Sequence, residues 1–485
     1  MNAIEIKKLT KKYKDVIAVD GLELSVRRGE LFALLGVNGA GKTTTIKMLS
    51  CLTSPTSGEA FLDGKSIVSQ PGEVKRIIGV SPQETAVAPN LTVMENLELM
   101  CGVHGLSKDK TRVRAQALCE EFKLGEAKER KAGKLSGGWQ RRLSIAMALT
   151  GDPEILFLDE PTLGLDVIAR SELWDTRARA QGQKDDNTHN TLYGGSRGAV
   201  RPRRDHARRK AAGPRHGRGA KSPCRKRKIR GCVRRDSKGG GEMKMLTFSS
   251  RTAKEILRDP VNLGFGLGFP VVLILLLSAI QANIPVSMFE IENLAPGMTV
   301  FGLSFMTLFA ATLIAKDRES ALLQRLYTTP LTAADFIFGY TLPLLPIALG
   351  QAAVCFVTAF FLGLEVTVNV LWSVLMIIPA SVFFIALGLL CGSALSVKQV
   401  GGICGALLTN LTAWLSGIWF DLELVGGAFK TAAELLPFCH AVRVEQAVCA
   451  GSLADVWPDL AWVIAYAVAA VIFAVLAFLR QMKRQ

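Results

Sequence analysis

Apolar positions follow two regimes along the 485 residues. Up to about residue 176 they come as short runs divided by polar turns. Leu31-Phe32-Ala33-Leu34-Leu35 and Ile155-Leu156-Phe157-Leu158 are continuous apolar runs of the kind that form buried strands. Helix-like spacing follows the first run, over Thr44–Leu49. From Val261 onward the runs lengthen. Six spans are predicted, at about 263–281, 297–315, 337–362, 370–392, 400–419 and 460–479. Each is long enough to cross a hydrocarbon core of roughly 30 Å as a helix. Leu460 to Leu479 is the clearest. The fifth carries Gly401, Gly402, Gly405 and Gly417 and fits a buried helix hairpin as well as a span. Between the regimes, residues 177–242 have almost no apolar periodicity and many Arg and Gly. Three segments result: an α/β unit at 1–176, a basic low-complexity stretch at 177–242 and an all-α membrane unit at 243–485.

Charge gives the spans a direction. Lys244, Arg251, Lys254 and Arg258 precede the first span, and Lys316, Arg318 and Arg325 lie between the second and third. Lys398 separates the fourth and fifth, and Arg480, Lys483 and Arg484 follow the sixth. Loops 282–296 and 363–369 contain no Lys or Arg. The positive-inside rule then predicts both termini, and the α/β unit, on the cytoplasmic side of a multi-pass protein. The opening residues Met1-Asn2-Ala3-Ile4-Glu5 show no signal peptide.

The formal net charge is +16, yet residues 177–242 alone hold 21 Lys/Arg against 5 Asp/Glu. That excess accounts for the whole charge, so the segments that pattern as folded are neutral taken together. No nucleic-acid partner is expected. The 10 Cys lack disulfide-framework spacing, and His206, His216, Cys224 and Cys232 fit no compact zinc pattern.

Gly36-Val37-Asn38-Gly39-Ala40-Gly41-Lys42-Thr43 fits the phosphate-loop pattern and lies between a strand and a helix, as the mechanism requires. Its glycines let backbone N–H groups converge on phosphate oxygens at a helix N-terminus. Gly36, Asn38, Gly39, Gly41, Lys42, Thr43 and Thr44 are the expected phosphate contacts, with the Thr43 hydroxyl on Mg²⁺. Asp159 ends a buried strand, where it suits Mg²⁺, and Glu160 beside it is placed to activate a water as catalytic base.

These residues, with Leu135-Ser136-Gly137-Gly138-Trp139-Gln140, resemble the ATP-binding cassette family. The resemblance implies an α/β P-loop NTPase fold, here incomplete, that binds ATP and Mg²⁺ and works as a dimer. It implies that Ser136, Gly137 and Gly138 contact the nucleotide of the opposite ATPase, and that Gln83 touches Mg²⁺ and relays motion to the membrane unit. Tyr13 is implied to stack on adenine, and Asp166 to couple the two sites. Ser136 opening a helix over Gln140 to Leu149 agrees, because a helix N-terminus suits an anion. Trp139 departs from the commoner Gln.

That family also needs a switch histidine on a strand soon after Asp166, and none is present. His189 lies in Asp186-Asn187-Thr188-His189-Asn190-Thr191, too polar for a core strand. The genetic code offers a reason. Read one nucleotide later, the codon sets from Asn187 to Arg201 permit Ile-Leu-Thr-Thr-His-Tyr-Met-Glu-Glu-Ala-Glu-Ala-Leu-Cys-Asp, which resembles the family's histidine strand and following helix. The shifted frame is forced to a stop at Met243-Lys244, just after a purine-rich Lys238-Gly239-Gly240-Gly241-Glu242. An out-of-frame translation from about Arg177 to Glu242, joining two neighbouring genes, is the expectation. Taken as written, the chain would be a catalytically impaired fusion. A basic linker, or a tether to nucleic acid or anionic lipid through Arg-rich stretches such as Arg225-Lys226-Arg227-Lys228, is the competing reading of the stretch.

The membrane half resembles type-2 export permeases of the same family. Lys316-Asp317-Arg318-Glu319-Ser320, running into Leu326-Tyr327-Thr328-Thr329-Pro330, looks like their ATPase-contacting segment, and Lys316, Glu319 and Arg325 are the implied coupling residues. Leu436-Pro437-Phe438-Cys439-His440-Ala441 looks like their turn before the last span. The resemblance implies ATP-driven export of a drug, lipid or glycan across a bacterial or archaeal cytoplasmic membrane. Its implied partners are a second copy and the lipid bilayer. A regulatory ATPase without transport is the alternative.

Overall fold

The computed structural model describes residues 2–30, 32–34, 39–159, 240–285 and 289–484. Gly36, Asn38, Glu160, Asp166 and the basic stretch up to residue 239 lie outside the described residues.

Alternating polar and apolar residues build two long strands, β1 (Asn2–Tyr13) and β2 (Val16–Arg27), which pair antiparallel. With β3 (Ser57–Leu62) and β4 (Lys65–Ser66) they form a sheet in the order β2-β1-β3-β4. Helix α1 (Lys42–Leu49) starts at Gly41, whose φ of 82° is left-handed and whose missing Cβ leaves room for the Ala18 carbonyl of β2. After α2 (Pro71–Ile77) comes β5 (Ile78–Ser81), which pairs parallel with β6 (Ile155–Leu158) from Ile78↔Ile155 to Ser81↔Leu158. Between them run α3 (Val93–Val103), α4 (Lys108–Glu121) and α5 (Gly137–Ala148). Met48 and Leu49 of α1 share one apolar core with Leu9, Val19, Leu62, Val80 and Phe157, so α1 is fixed against both sheets.

The strand expected at 155–158 is present. The one expected at 31–35 is not: Phe32, Ala33 and Leu34 carry no strand pairing, and residues 31 and 35 lie outside the described residues. A buried strand needs neighbours to take its backbone hydrogen bonds. Among the described residues β5 and β6 pair with each other, and no further strand is offered to this segment.

The second half is helical. It opens with α6 (Gly240–Leu257), then α7 (Pro260–Gln281), α8 (Ile291–Glu319), a short α9 (Ala321–Tyr327), α10 (Ala333–Phe361) and α11 (Val368–Ala394). Prolines mark breaks inside two of them, Pro343 in α10 and Pro379 in α11. Next come a composite helix α12 over 397–415, α13 (Gly427–Leu435), α14 (Pro437–Cys449) and α15 (Val456–Arg484).

Among the described residues five helices are long and apolar enough to cross a membrane, not the expected six: Pro260–Gln281, Ile291–Glu319, Ala333–Phe361, Val368–Ala394 and Val456–Met482. The exception is 400–419. There α12 runs as an α-turn at Val397–Val400, a π-helical stretch at Gly401–Leu408 and a short helix at Thr409–Leu415. Glycines at 401, 402 and 405 permit the wider π turn, and Gly417, with φ of 78°, ends the run. The central α8 is buried along most of its length and packs on α11 through Gly388 and Gly392, where a Cβ would meet Ala310 Cβ at 2.6 Å and Ile314 Cβ at 2.8 Å.

Candidate nucleotide site and its link to the membrane helices

No side chain caps the first turn of α1, and a helix N-terminus of this kind suits a phosphate. Gly39 and Gly41 both take positive φ, 85° and 82°, a loop geometry that needs glycine. Lys42 and Thr44 are partly exposed and Thr43 is exposed. Tyr13 sits beside the β1–β2 turn, 45% exposed, with Lys11 Nζ 5.0 Å from its ring centroid.

Two further predicted residues stand at the ends of the parallel strands. Gln83 follows β5 and is exposed; Asp159 follows β6 and is 7% exposed. The Asp159 N–H donates to the Ser81 carbonyl at 3.0 Å. Arg141 of α5 binds both strand ends: it donates to the Gln83 carbonyl at 3.2 Å, to that of Pro82 and to that of Asp159 at 2.7 Å. The structure thus joins the Gln83 loop, Asp159 and α5 in one buried network.

Ser136 is the N-cap of α5 by its backbone, φ −64° and ψ 157°, yet its hydroxyl makes no cap hydrogen bond. Ser136 and Gly137 are exposed, with Gly138 partly so. The helix begins slightly earlier than expected, at Gly137, and an uncapped N-terminus faces outward. Donors of this kind, without a carboxylate among them, suit phosphate oxygens. The Thr43 hydroxyl and the Asp159 carboxylate suit a hard divalent cation.

The membrane half meets this network through Arg325 of α9, which is 1% exposed. It donates to the Ala86 carbonyl at 3.1 Å, and to the carbonyl and hydroxyl of Ser144 at 2.5 and 2.8 Å. Ser144 Oγ in turn lies 3.3 Å from Ser81 Oγ. Burial first, and then the neighbouring Arg141, pull the Arg325 pKa below the usual arginine value. Lys316 is exposed, and Glu319 accepts from the Val397 N–H at 3.0 Å, holding α12 rather than α5.

A second contact was not visible in the sequence. Helix α6 lies along α3, close enough at Gly102 that a Cβ there would meet Thr247 at 2.5 Å. Arg258 forms a two-pronged pair with Glu95, and Lys254 Nζ reaches the same carboxylate at 2.9 Å. The Asn90 N–H donates to Glu255 at 3.2 Å. Helix α6 also holds the membrane helices: Arg251 Nη2 donates to Asp317 at 2.7 Å, the Tyr340 hydroxyl donates to Asp317 at 2.8 Å, and Phe248 packs edge-on to Tyr340. The available signal was the i, i+3, i+4, i+7 spacing of Arg251, Lys254, Glu255 and Arg258, which sets them on one side of a helix.

Residues 19–163 match the model of the ABC transporter family, and residues 243–448 match that of the ABC-2 type transporter. The daunorubicin/doxorubicin resistance ATP-binding protein DrrA of Streptomyces peucetius is 45% identical over 173 residues, 36% of this chain and 52% of that protein. The Nod factor export ATP-binding protein I of Burkholderia pseudomallei (strain 1710b) is 44% identical over 172 residues, covering 36% and 57%. The chain thus spans about half the length of the curated relatives it matches. A solved dimeric ATP-binding cassette, MJ0796, in a post-hydrolysis state bound to ADP and Pi, is similar at 29% identity with a TM-score of 0.35, over 37% of this chain and 82% of that one.

Proposed function

We propose that this chain, which belongs to the ATP-binding cassette transporter family and joins its ATPase to an ABC-2 type permease, exports a substrate across the cytoplasmic membrane using ATP. The observation that carries this reading is Arg325: a side chain of the permease is buried against the loop behind Gln83 and against α5. Whatever moves those two segments must move α9.

Gly36, Asn38, Gly39, Gly41, Lys42, Thr43 and Thr44 would hold the phosphates, with Tyr13 on the adenine. Thr43, Gln83 and Asp159 would hold Mg²⁺, which would neutralise charge on the phosphates when bound. Glu160 would activate the water. Ser136, Gly137 and Gly138 would reach the nucleotide of a second copy, so each of two sites takes residues from both ATPases, with Asp166 coupling them. Differential affinity for the two permease states gives direction to the transport. Arg325 carries the coupling to the membrane, with Lys316 and Glu319 setting the end of α8.

Two features support the proposed orientation. Lys and Arg flank the spans on the ATPase side, and exposed Trp372, Trp457 and Trp462 stand near the other ends of their helices, as an interfacial belt would. The names of the relatives, daunorubicin/doxorubicin resistance and Nod factor export, favour a drug or a Nod-factor-like compound as substrate, with drug export the first to test. Inverted membrane vesicles containing the ATPase and permease, with the reading frame of residues 177–242 restored, should accumulate doxorubicin when given ATP, and Lys42→Ala should abolish accumulation. Equal accumulation with and without ATP would sink the reading.

We also propose that residues from about 177 to 242 are read out of frame. The start of the permease match at Met243, the expected start codon, supports this. The chain as written is then an impaired fusion of two partners, and the repaired pair is the transporter.

A further inference from the structure

Helix α5 grips the loop behind β5 with three side chains, and one of them also holds something else. Arg141 and Ser144 are buried and tie α5 to Ser81, Pro82 and Gln83. The Gln140 amide faces two ways. Its Oε1 accepts from Thr85 Oγ1 at 3.2 Å, and its Nε2 donates to the carbonyls of Ala132 at 3.1 Å and Leu135 at 3.3 Å. Two carbonyls can only accept, so Nε2 must face them and the Thr85 hydroxyl must donate. Thr85 lies just beyond Gln83, and Leu135 immediately precedes Ser136.

One amide therefore joins the loop that meets a nucleotide in its own ATPase to the loop presented to the other. We infer that Gln140 is a positioning residue that passes the state of the Gln83 loop to Ser136, making the two nucleotide sites of a dimer interdependent. The inference rests on the proposed two-site ATPase. Gln140 touches no nucleotide; it acts through Thr85 on one side and Leu135 on the other. Each half of the bridge can be cut separately. Thr85→Val removes the hydroxyl and leaves the amide on Ala132 and Leu135. Gln140→Glu keeps an acceptor for Thr85 and sets a carboxylate against two carbonyls, which it cannot bind.

The test is equilibrium binding of adenylyl imidodiphosphate with Mg²⁺ to the full chain, with ADP as the control that needs one site only. The parent should bind the analogue cooperatively. Thr85→Val and Gln140→Glu should each bring the Hill coefficient to about 1 and weaken half-saturation about three- to tenfold, the size of one net hydrogen bond. ADP affinity should stay put, and Thr85→Ser should behave as the parent. A role confined to stability would lower the melting midpoint and leave the Hill coefficient alone, which overturns the inference. Should Gln140→Glu fail to fold, the Hill coefficient of Thr85→Val decides between the two. A parent that binds neither nucleotide fails the proposed function itself; one that binds both without cooperativity overturns the inference and the two-site reading together.

Discussion

Glu95 and Arg258, 163 residues apart in sequence, meet as a two-pronged ion pair with N–O distances of 2.6 and 2.9 Å, one residue from each half of the chain. Burial works to raise the Glu95 pKa, but Arg258, the Thr92 N–H and Lys254 outweigh it and bring it down to about 2. A depressed carboxylate stabilises above its unfolded value of 4.5, and that contribution is lost as pH falls from there toward about 2. Glu95→Gln keeps the helix cap on Thr92 and removes the charge. It should weaken the docking of α6 on α3 by about 1–3 kcal/mol. Proteolytic cleavage within α6, followed against pH, checks this. Parent and variant should converge near pH 2; equal protection at pH 7 would refute the pair's importance.

Arg325→Ala removes three hydrogen bonds from a buried place and leaves the Ala86 and Ser144 carbonyls without that partner. The cost should be about 3–5 kcal/mol at the contact between the halves. Nucleotide binding should persist, because Arg325 donates to the Ala86 carbonyl and to the carbonyl and hydroxyl of Ser144, not to the phosphate-loop residues. Stimulation of ATP hydrolysis by transported substrate should vanish. Arg325→Lys should recover only part of it, since an ammonium does not offer the guanidinium fork. Undiminished stimulation in Arg325→Ala would count against the coupling role.

At the far end of the bundle from the ATPase, both nitrogens of His440 face acceptors. Nε2 lies 2.7 Å from the Glu434 carbonyl and Nδ1 meets the Asp459 carboxylate, while the ring stacks on Trp462 at 5.4 Å. Only the imidazolium donates to both. The Asp459 hydrogen bond raises the His440 pKa, against burial and Arg443. A raised histidine stabilises fully below its ordinary value of 6.5, and the contribution is lost as pH climbs through the raised value. The melting midpoint in detergent should be steady below pH 6.5 and fall in the alkaline direction. His440→Gln should cost about 2 kcal/mol of stability in acid, lowering the midpoint there, and flatten the profile. A parent profile identical to that of the variant would dismiss the imidazolium.

The proposed nucleotide residues could be singled out because their chemistry is local: a glycine loop, a lysine and a strand-end acid stand out within a few positions. The spans were legible by length alone. The α6 contact was not, because Lys254 and Arg258 read equally well as topology-setting charges, and only the fold reveals Glu95 opposite them. Nor could spacing distinguish Arg325, which enters the ATPase, from Lys316 and Glu319, which face elsewhere. Residues 400–419 satisfied a length criterion, but the helix over 397–415 carries Lys398, Gln399 and Asn410 and does not reach the apolar character of the five spans. The run at 31–35 was the converse case. Its pattern is that of a strand, yet a strand is realised only when neighbours supply a ladder.

That missing ladder bears on the last prediction. The expected partners of 31–35 would come after Asp159, where the written frame gives Arg and Gly in place of β-branched residues. The alternative frame from Asn187 permits a strand-like Ile-Leu-Thr-Thr-His run at the place where a switch histidine belongs. Degeneracy makes any one shifted residue cheap, but the stop at Met243-Lys244 is fixed by the ATG of Met243 and the first base of the lysine codon. Resequencing codons 170 to 245 should therefore find one nucleotide gained or lost near codons 176–177. The cell should contain two proteins, the second beginning at Met243, and no tryptic peptide from the Arg-rich stretch. The repaired ATPase, with its histidine strand, should hydrolyse ATP where the fused chain does so poorly. Peptides from residues 200–235 in a digest of the native protein would refute the frame reading. The basic stretch would then be a genuine linker, joined to an ATPase that must work without a switch histidine.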